Sequence, residues 1–275
     1  MKEMTTREVQ LVCLDILKDV HEFCVKNNIR YSLSGGSLLG AIRHNGFIPW
    51  DDDADIQMPR PDYDRFIHTY RSENGYKVFS FEVDGPEKVR LRLARVCDMK
   101  RTFVDFGPKK SIDEEVGVGI DIEPCDGAPD NWNEAEKHLN ELTRISRFHN
   151  CVRTKYVSWS DGLRYESPNK KLRFYLQKFL SYFLPRNIWL KRFVECQKKY
   201  AYEKSRYFMA SIHYRMGEWQ PKERMEKFEL HSFEDTNLYI MSAFDDNLKS
   251  LYGEYMTIPP VEKQVTHSFE KFYWK

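Results

Sequence analysis

The chain has 275 residues, 41% hydrophobic and 31% charged, with a formal net charge of +1; this excludes a disordered chain or a peptide-sized module and leaves room for a sizeable core. The near-neutral total hides an asymmetry, because residues 144–206 carry sixteen Lys and Arg against four Asp and Glu. A basic, aromatic-rich segment of this kind suits anionic lipid, phosphorylated glycan or nucleic acid, and equally a solvated helix face.

The amino terminus, MKEMTTREVQ, has no apolar signal run, and no stretch of about 18 apolar residues is present to span a bilayer. Cys13, Cys24, Cys97, Cys125, Cys151 and Cys196 form no C-x-x-C pair, and no His stands at zinc-finger spacing. The expectation is therefore a cytoplasmic protein with reduced thiols, no structural zinc and access to the inner membrane face.

In chain order, residues 5–28 read as a helix, opened by a Thr5/Glu8 capping box and carried by Val9, Val12, Ile16, Val20 and Phe23. A strand at 29–33 runs into a Ser34-Gly35-Gly36-Ser37 turn and a helix from Leu38. Asp53 to Met58 alternates with the period of a strand, and Pro-Arg-Pro then starts a helix over 62–70. Further strands are expected at 76–82, 89–97 and 117–123. This is an α/β or α+β pattern around a mixed sheet flanked by helices. From about 131 onward the periodicity reads as mainly helical, which suggests a catalytic core over 1–130 and a helical, basic elaboration over 131–275. Within it, KKLRFYLQKFLSYFL at 170–184 carries an apolar stripe between lysines and arginines; such a stripe ordinarily packs on the protein's own core, with a membrane surface as the second possibility.

The chemistry concentrates in SGGSLLGAIRHNGFIPWDDDAD, residues 34–55. Gly35 and Gly36 permit a tight turn with exposed amides, Ser37 adds a hydroxyl, and the following helix points its N-terminus at the same place, a seat for phosphate. Asp53 and Asp55, two apart on a strand, share a face, and like charges so close call for a cation; Mg²⁺ (or Mn²⁺) with carboxylates and phosphate oxygens fits. Asp121, amid apolar neighbours in Gly119-Ile120-Asp121-Ile122-Glu123, is the expected third ligand or base, with Glu123 as its competitor. Asp51, Asp52 and Asp126 read as supporting acids or as turn residues. Arg43 and His44 read either as phosphate-side cations or as helix-surface residues. Trp50, Trp132 and Trp159 are available to cage a quaternary ammonium.

GGSLLGAIRHNGFIPWDDDADIQMPRPDYDRF at 35–66, GIDIEPCDG at 119–127 and LYGEYMTIPPVEKQVTH at 251–267 closely resemble blocks of the LicD family of phosphocholine transferases, to which fukutin-like proteins are related. The resemblance implies a nucleotidyltransferase-like fold in which the Gly35-Gly36-Ser37 turn contacts nucleotide phosphates and Asp53, Asp55 and Asp121 organise Mg²⁺. It further implies transfer of a phospho-alcohol, typically phosphocholine from CDP-choline, to a sugar hydroxyl of a cell-surface glycan or its lipid-linked form, with no nucleic acid partner. Fifteen residues separate Ser37 from Asp53, more than in the wider superfamily, and the insert RHNGFIPWDD is itself LicD-like. Residues 130–250 carry no such block. Other activities on this scaffold are nucleotidyl transfer or transfer of phosphoglycerol, phosphoethanolamine or phosphoribitol. An Asp-x-Asp glycosyltransferase ranks low, because little chain precedes the acids to build a nucleotide-binding sheet. A non-catalytic protein binding anionic lipid or nucleic acid through 144–206 is the remaining alternative.

Overall fold

The computed structural model describes residues 1–107, 110–185, 188–210, 216–264, 266 and 270–275; Val265 and His267 of the C-terminal block lie outside them. A short strand β1 (Lys2–Glu3) precedes α1 (Thr6–Lys26), which begins at the expected Thr5/Glu8 capping box. Next come β2 (Ser32–Leu33), α2 (Gly35–His44), β3 (Asp55–Pro59), α3 (Arg60–Thr69), β4 (Tyr76–Phe79), the short α4 (Phe81–Asp84), β5 (Ala94–Asp98), β6 (Thr102–Asp105) and β7 (Gly119–Ala128). The central sheet has the order β2-β3-β7-β5-β4, with β3 and β7 parallel and the other pairs antiparallel.

Register determines what each face of this sheet carries. Ile56 pairs with Ile122, Ala94 with Ile122 and Val96 with Ile120, so one face is apolar. It joins Val9, Cys13, Ile16, Leu17 and Val20 of α1 in the main core. On the opposite face Asp55, Asp121 and Arg95 form one row across β3, β7 and β5, with Gln57 and Glu123 in the next. β7 continues through Pro124, where it changes antiparallel neighbour: β5 pairs with residues 119–122, and β8 (Tyr207–Met209) with 126–128. Proline has no amide to donate, and this position on β7 asks for none on that side.

The second half departs from the helical reading. The helical expectation holds for α5 (Trp132–Arg153), α6 (Pro168–Ser181) and α7 (Ile188–Gln197). After them β8 pairs with β9 (Trp219–Pro221), and β10 (Phe228–Phe233) and β11 (Thr236–Met241) form a hairpin. The helix α8 (Phe244–Tyr252) follows, and β12 (Lys271–Trp274) inserts between β1 and β6. Phe233, Leu238, Ile240 and Leu248 belong to the same core as α1 and β3, so the core extends across residue 130. The hairpin escapes sequence reading because its two-residue turn is Glu234-Asp235 and not a glycine pair, with Glu234 in the left-handed region at φ 54°.

Tertiary contacts fix that turn. The Glu234 carboxylate accepts two hydrogen bonds from Arg7, at 2.9 and 2.6 Å, and one from the Phe47 amide at 3.1 Å, while its own amide donates to the Asn45 carbonyl at 2.8 Å. The hairpin thereby clamps the loop that follows α2.

The stripe of α6 is inverted relative to expectation. Phe174, Lys178 and Ser181 face inward, whereas Leu172 (70% exposed), Leu176, Phe179, Leu180 and, just beyond the helix, Phe183 (73%) face solvent. The buried Lys178 ammonium donates to the carbonyls of Thr154 and Lys155, each at 2.9 Å, and to that of Val157. These carbonyls lie just past the C-terminal end of α5, where partial negative charge favours a cation.

Arg7 holds the Glu234 carboxyl below its ordinary value of 4.5. The stability this contributes is complete above that value and is lost as pH falls through the lower folded value. Glu234→Gln should lower urea stability at neutral pH by about 1 kcal/mol, and the gap to the parent should close as pH falls below 4.5; a gap of constant size would place the effect elsewhere.

Candidate active site

A cavity of about 310 Å³ opens where α2 begins, lined by Ser34, Gly35, Gly36, Asp51, Asp53, Asp55, Gln57 and Glu123, with Glu218, Asn247, Leu251 and Tyr252 closing it from the C-terminal half. Gly35 and Gly36 form the first turn of α2 itself and not a separate turn before it. Gly35 has φ 51°, and a Cβ on Gly36 would stand 2.6 Å from an Asp51 carboxylate oxygen; both positions therefore favour glycine. The N-cap residue, Ser34, makes no side-chain cap bond, so its hydroxyl does not occupy the first-turn amides, the groups that favour an anion at a helix start.

Ser37 has a different task from the one expected. Its buried hydroxyl accepts the Asp55 amide at 2.9 Å, so it positions the start of β3. The hydroxyl that faces the cavity belongs to Ser34, and it donates to Glu123 at 3.2 Å.

Asp53 lies in the loop before β3 and Asp55 is its first residue, so the two reach the cavity from a loop and a strand. The Asp55 carboxyl is half-buried at the cavity wall, and its pKa rises well above the ordinary value, first from desolvation, then from Asp53, Glu123, Asp121 and Asp51. A cluster of oxygen-only donors that holds Asp55 back from ionising has the donor chemistry of a Mg²⁺ or Mn²⁺ site.

Asp121 shares the sheet face with Asp55 but turns to Arg95, which donates to it at 2.5 and 3.0 Å. It lines a neighbouring cavity, and Glu123 is the β7 acid that lines the first one. Asp126 is no part of the site: it is buried in a two-pronged pair with Arg60, at 2.6 and 2.7 Å, at the start of α3. Arg43 sits at the far end of α2, where it donates to the Tyr255 carbonyl at 2.8 Å, and His44 packs edge-on against Trp50. None of these three, nor Asp52, lines the cavity. Trp132 meets Trp219, and Trp159 stacks on Tyr175 and Tyr182, so the expected tryptophan cage does not assemble.

Sequence reading missed Gln10, Glu218, Asn247 and Tyr252. Gln10, buried on α1, donates to the carbonyls of Ile48 (3.0 Å) and Asp51 (2.8 Å) and so holds the acidic loop. A glutamine on the apolar face of α1 was the available signal. Asn247 donates to Gln220 at 3.1 Å. Tyr252 falls within the C-terminal block that carries the family resemblance. A separate grouping, His138, Glu141 and Cys196 of α5 and α7, brings ligand atoms within 4.8 Å of one another; its imidazole and thiol are the wrong donors for Mg²⁺.

These assignments separate structural from functional acids. Asp126→Asn should cost about 3 kcal/mol in urea unfolding because it removes the two-pronged partner of the buried Arg60 and leaves it Glu82 at 3.1 Å and Asp64 at 3.4 Å. Asp55→Asn should leave the midpoint unchanged or raise it, because it relieves repulsion; the opposite ranking would reverse the two roles.

Comparison with known proteins agrees with this geometry. Residues 28–116 match the family model described as LicD/FKTN/FKRP, nucleotidyltransferase domain; the match covers α2, the acidic loop and β3 and stops before β7. The lipopolysaccharide cholinephosphotransferase LicD of Haemophilus influenzae is 31% identical over 280 aligned residues, 99% of each chain. An uncharacterised protein of Rickettsia prowazekii is 40% identical over 23% of this chain and 27% of its own. The human ribitol 5-phosphate transferase FKRP is 46% identical over 48 residues, 16% of this chain and 10% of its own. With a full-length relative above 30% identity, and with the glycine helix start and the aspartate loop meeting in one cavity, the chain belongs to the LicD family.

Proposed function

We propose that this protein is a Mg²⁺- or Mn²⁺-dependent phosphotransferase that moves phosphocholine from CDP-choline to a sugar hydroxyl of a cell-surface glycan such as teichoic acid, lipopolysaccharide or capsule. The observation that carries this reading is the meeting of Asp51, Asp53, Asp55 and Glu123 with the uncapped N-terminus of α2 in one cavity. The full-length similarity to a cholinephosphotransferase supports the choline and the glycan.

Asp53 and Asp55 hold the cation, with Asp121 or Glu123 completing the set. When bound, the cation neutralises charge on the pyrophosphate and the departing CMP. The amides of Gly35 and Gly36 bind and orient donor phosphate oxygens. The acceptor oxygen forms a bond to the choline-bearing phosphorus as its bond to the CMP oxygen breaks. The acceptor proton passes to whichever of Asp121 and Glu123 is not engaged with the cation. Tyr252 and Glu218 offer the choline cation a ring and a carboxylate.

The test is CMP release from a panel of CDP-alcohols with Mg²⁺ and glycan acceptors, lipid-linked ones included. Release from CDP-choline is expected. Release from CDP-ribitol or CDP-glycerol alone would retain the mechanism and change the donor, and release from none would reject phosphotransfer. Asp53→Asn and Asp55→Asn should each reduce turnover by roughly 100-fold or more with the fold intact; normal turnover in either variant would overturn the site. Comparing the Mg²⁺ requirement of Asp121→Asn with that of Glu123→Gln identifies the third ligand.

The same reading places the enzyme at the cytoplasmic membrane face. All six cysteines are buried and unpaired, as suits a reducing compartment, and among the described residues no helix is long and apolar enough to cross a membrane. The outward stripe of α6 is flanked by Lys170, Lys171 and Arg173, an apolar face with a basic rim that fits anionic lipid. Replacing Phe179, Leu180 and Phe183 by Ser should reduce sedimentation with phosphatidylglycerol vesicles by about tenfold. Equal sedimentation of the folded variant would remove the membrane role, and loss of a dimer in solution would assign the face to a second copy.

A further inference from the structure

A second cavity of about 210 Å³ lies on the same face of the sheet, beyond the Arg95–Asp121 pair, and Arg90, Arg92, Arg95 and Arg153 all line it. Four guanidinium groups from three places in the sequence meet here. Arg90 and Arg92 precede β5, Arg95 lies within it, and Arg153 ends α5. The carboxylates lining the cavity are Asp121 and Glu270. Asp121 already binds Arg95, and Glu270 stands 3.9 Å from the same arginine.

The other three arginines have partners of both kinds, a carboxylate for Arg90 and hydroxyls for Arg92 and Arg153. Arg92 donates to the Ser146 hydroxyl at 2.8 Å and Arg153 to the Ser111 hydroxyl at 3.1 Å. Arg90 is 4% exposed; it pairs with Asp113 and lies over the Tyr156 ring at 4.0 Å, but its Nε has no hydrogen-bond partner. His149, buried one turn before Arg153, has neither ring nitrogen hydrogen-bonded. Burial and the neighbouring Arg153, Arg92 and Arg90 keep its imidazole neutral, well below its ordinary value. Burial and then Arg153 lower Arg92 to about 10. Cations crowded into a half-buried cavity repel one another, and an anion that enters removes that cost.

We propose that this cavity binds a phosphate-class oxyanion, a phosphomonoester or phosphodiester group. Planar guanidinium forks match phosphate oxygens in two-pronged hydrogen bonds, and several forks around one cavity favour a multiply charged oxyanion over a halide. Position strengthens the assignment. Arg95, Asp121 and Asp55 form one row across adjacent strands, so an anion held by the arginines lies two strands from Asp55, with Asp121 between them. The anion site itself stands without the transferase reading. Its use rests on that reading: the group held is either the donor's pyrophosphate or a phosphate carried by the acceptor glycan.

The first probe is inorganic phosphate, titrated calorimetrically into the full chain at constant ionic strength and compared with chloride. Wild type should bind phosphate, and Arg92→Gln and Arg153→Gln should each weaken it by about tenfold. Without ligand, the midpoint of each variant should equal or exceed the parent's, because a repelling buried charge is gone. No phosphate binding by wild type, or equal binding by the variants, would overturn the proposal, as would lowered midpoints with phosphate binding retained. If one variant does not fold, the other and the wild-type titration still decide. With turnover in hand, a raised KM for acceptor alone assigns the cavity to the acceptor, and a raised KM for CDP-alcohol alone assigns it to the donor. Phosphate binding that depends on Arg92 and Arg153, with no turnover from any donor, would support the site and reject the transferase reading.

Discussion

The molecule is organised around a row of charges placed on one face of a sheet whose other face is apolar. Asp55, Asp121 and Arg95 lie side by side because β3, β7 and β5 pair in a single register. A slip of one residue in β3 would turn its acids into the core and Ile56 into the cavity, so the packing of Ile56, Ile120 and Ile122 under α1 enforces the chemistry on the other side. The cost of that arrangement is the suppressed ionisation of the half-buried Asp55 carboxyl.

Holding the acidic loop is the second requirement, and distant parts of the chain meet it. Gln10 on α1 binds the carbonyls of Ile48 and Asp51. Glu234, at the tip of a hairpin nearly 200 residues later in sequence, binds the Phe47 amide and Arg7. Residues 45–54 thus have no regular structure of their own and are still fixed at both ends. An acid placed to within hydrogen-bond tolerance of a reacting group needs such support more than it needs a strand.

The charge asymmetry of the sequence becomes a spatial division in the fold. The acids of the first cavity meet the helix start, while the arginines before β5 and at the end of α5 gather in the second. The basic rim of α6 surrounds an apolar face turned outward, with Lys178 turned inward onto backbone carbonyls.

Local signals made part of this legible. The capping box of α1 and the strand period before Arg60 depend on neighbours within a few residues and are found where the pattern puts them, whereas the glycine pair falls inside α2 and Asp53 in the loop before β3. The family is legible too, because GGSLLGAIRHNGFIPWDDDAD is contiguous. Tertiary structure alone decided the rest. Ser37 turned to an amide, Asp126 to Arg60 and Asp121 to Arg95, because a side chain takes the partner that packing brings within 3 Å, and that partner is far away in sequence. The hairpin at 228–241 and the return of β12 to β1 have the same origin: their pairing energy comes from strands that no local window contains. The four arginines of the second cavity are ordinary surface charges when read along the chain; only the fold makes them neighbours.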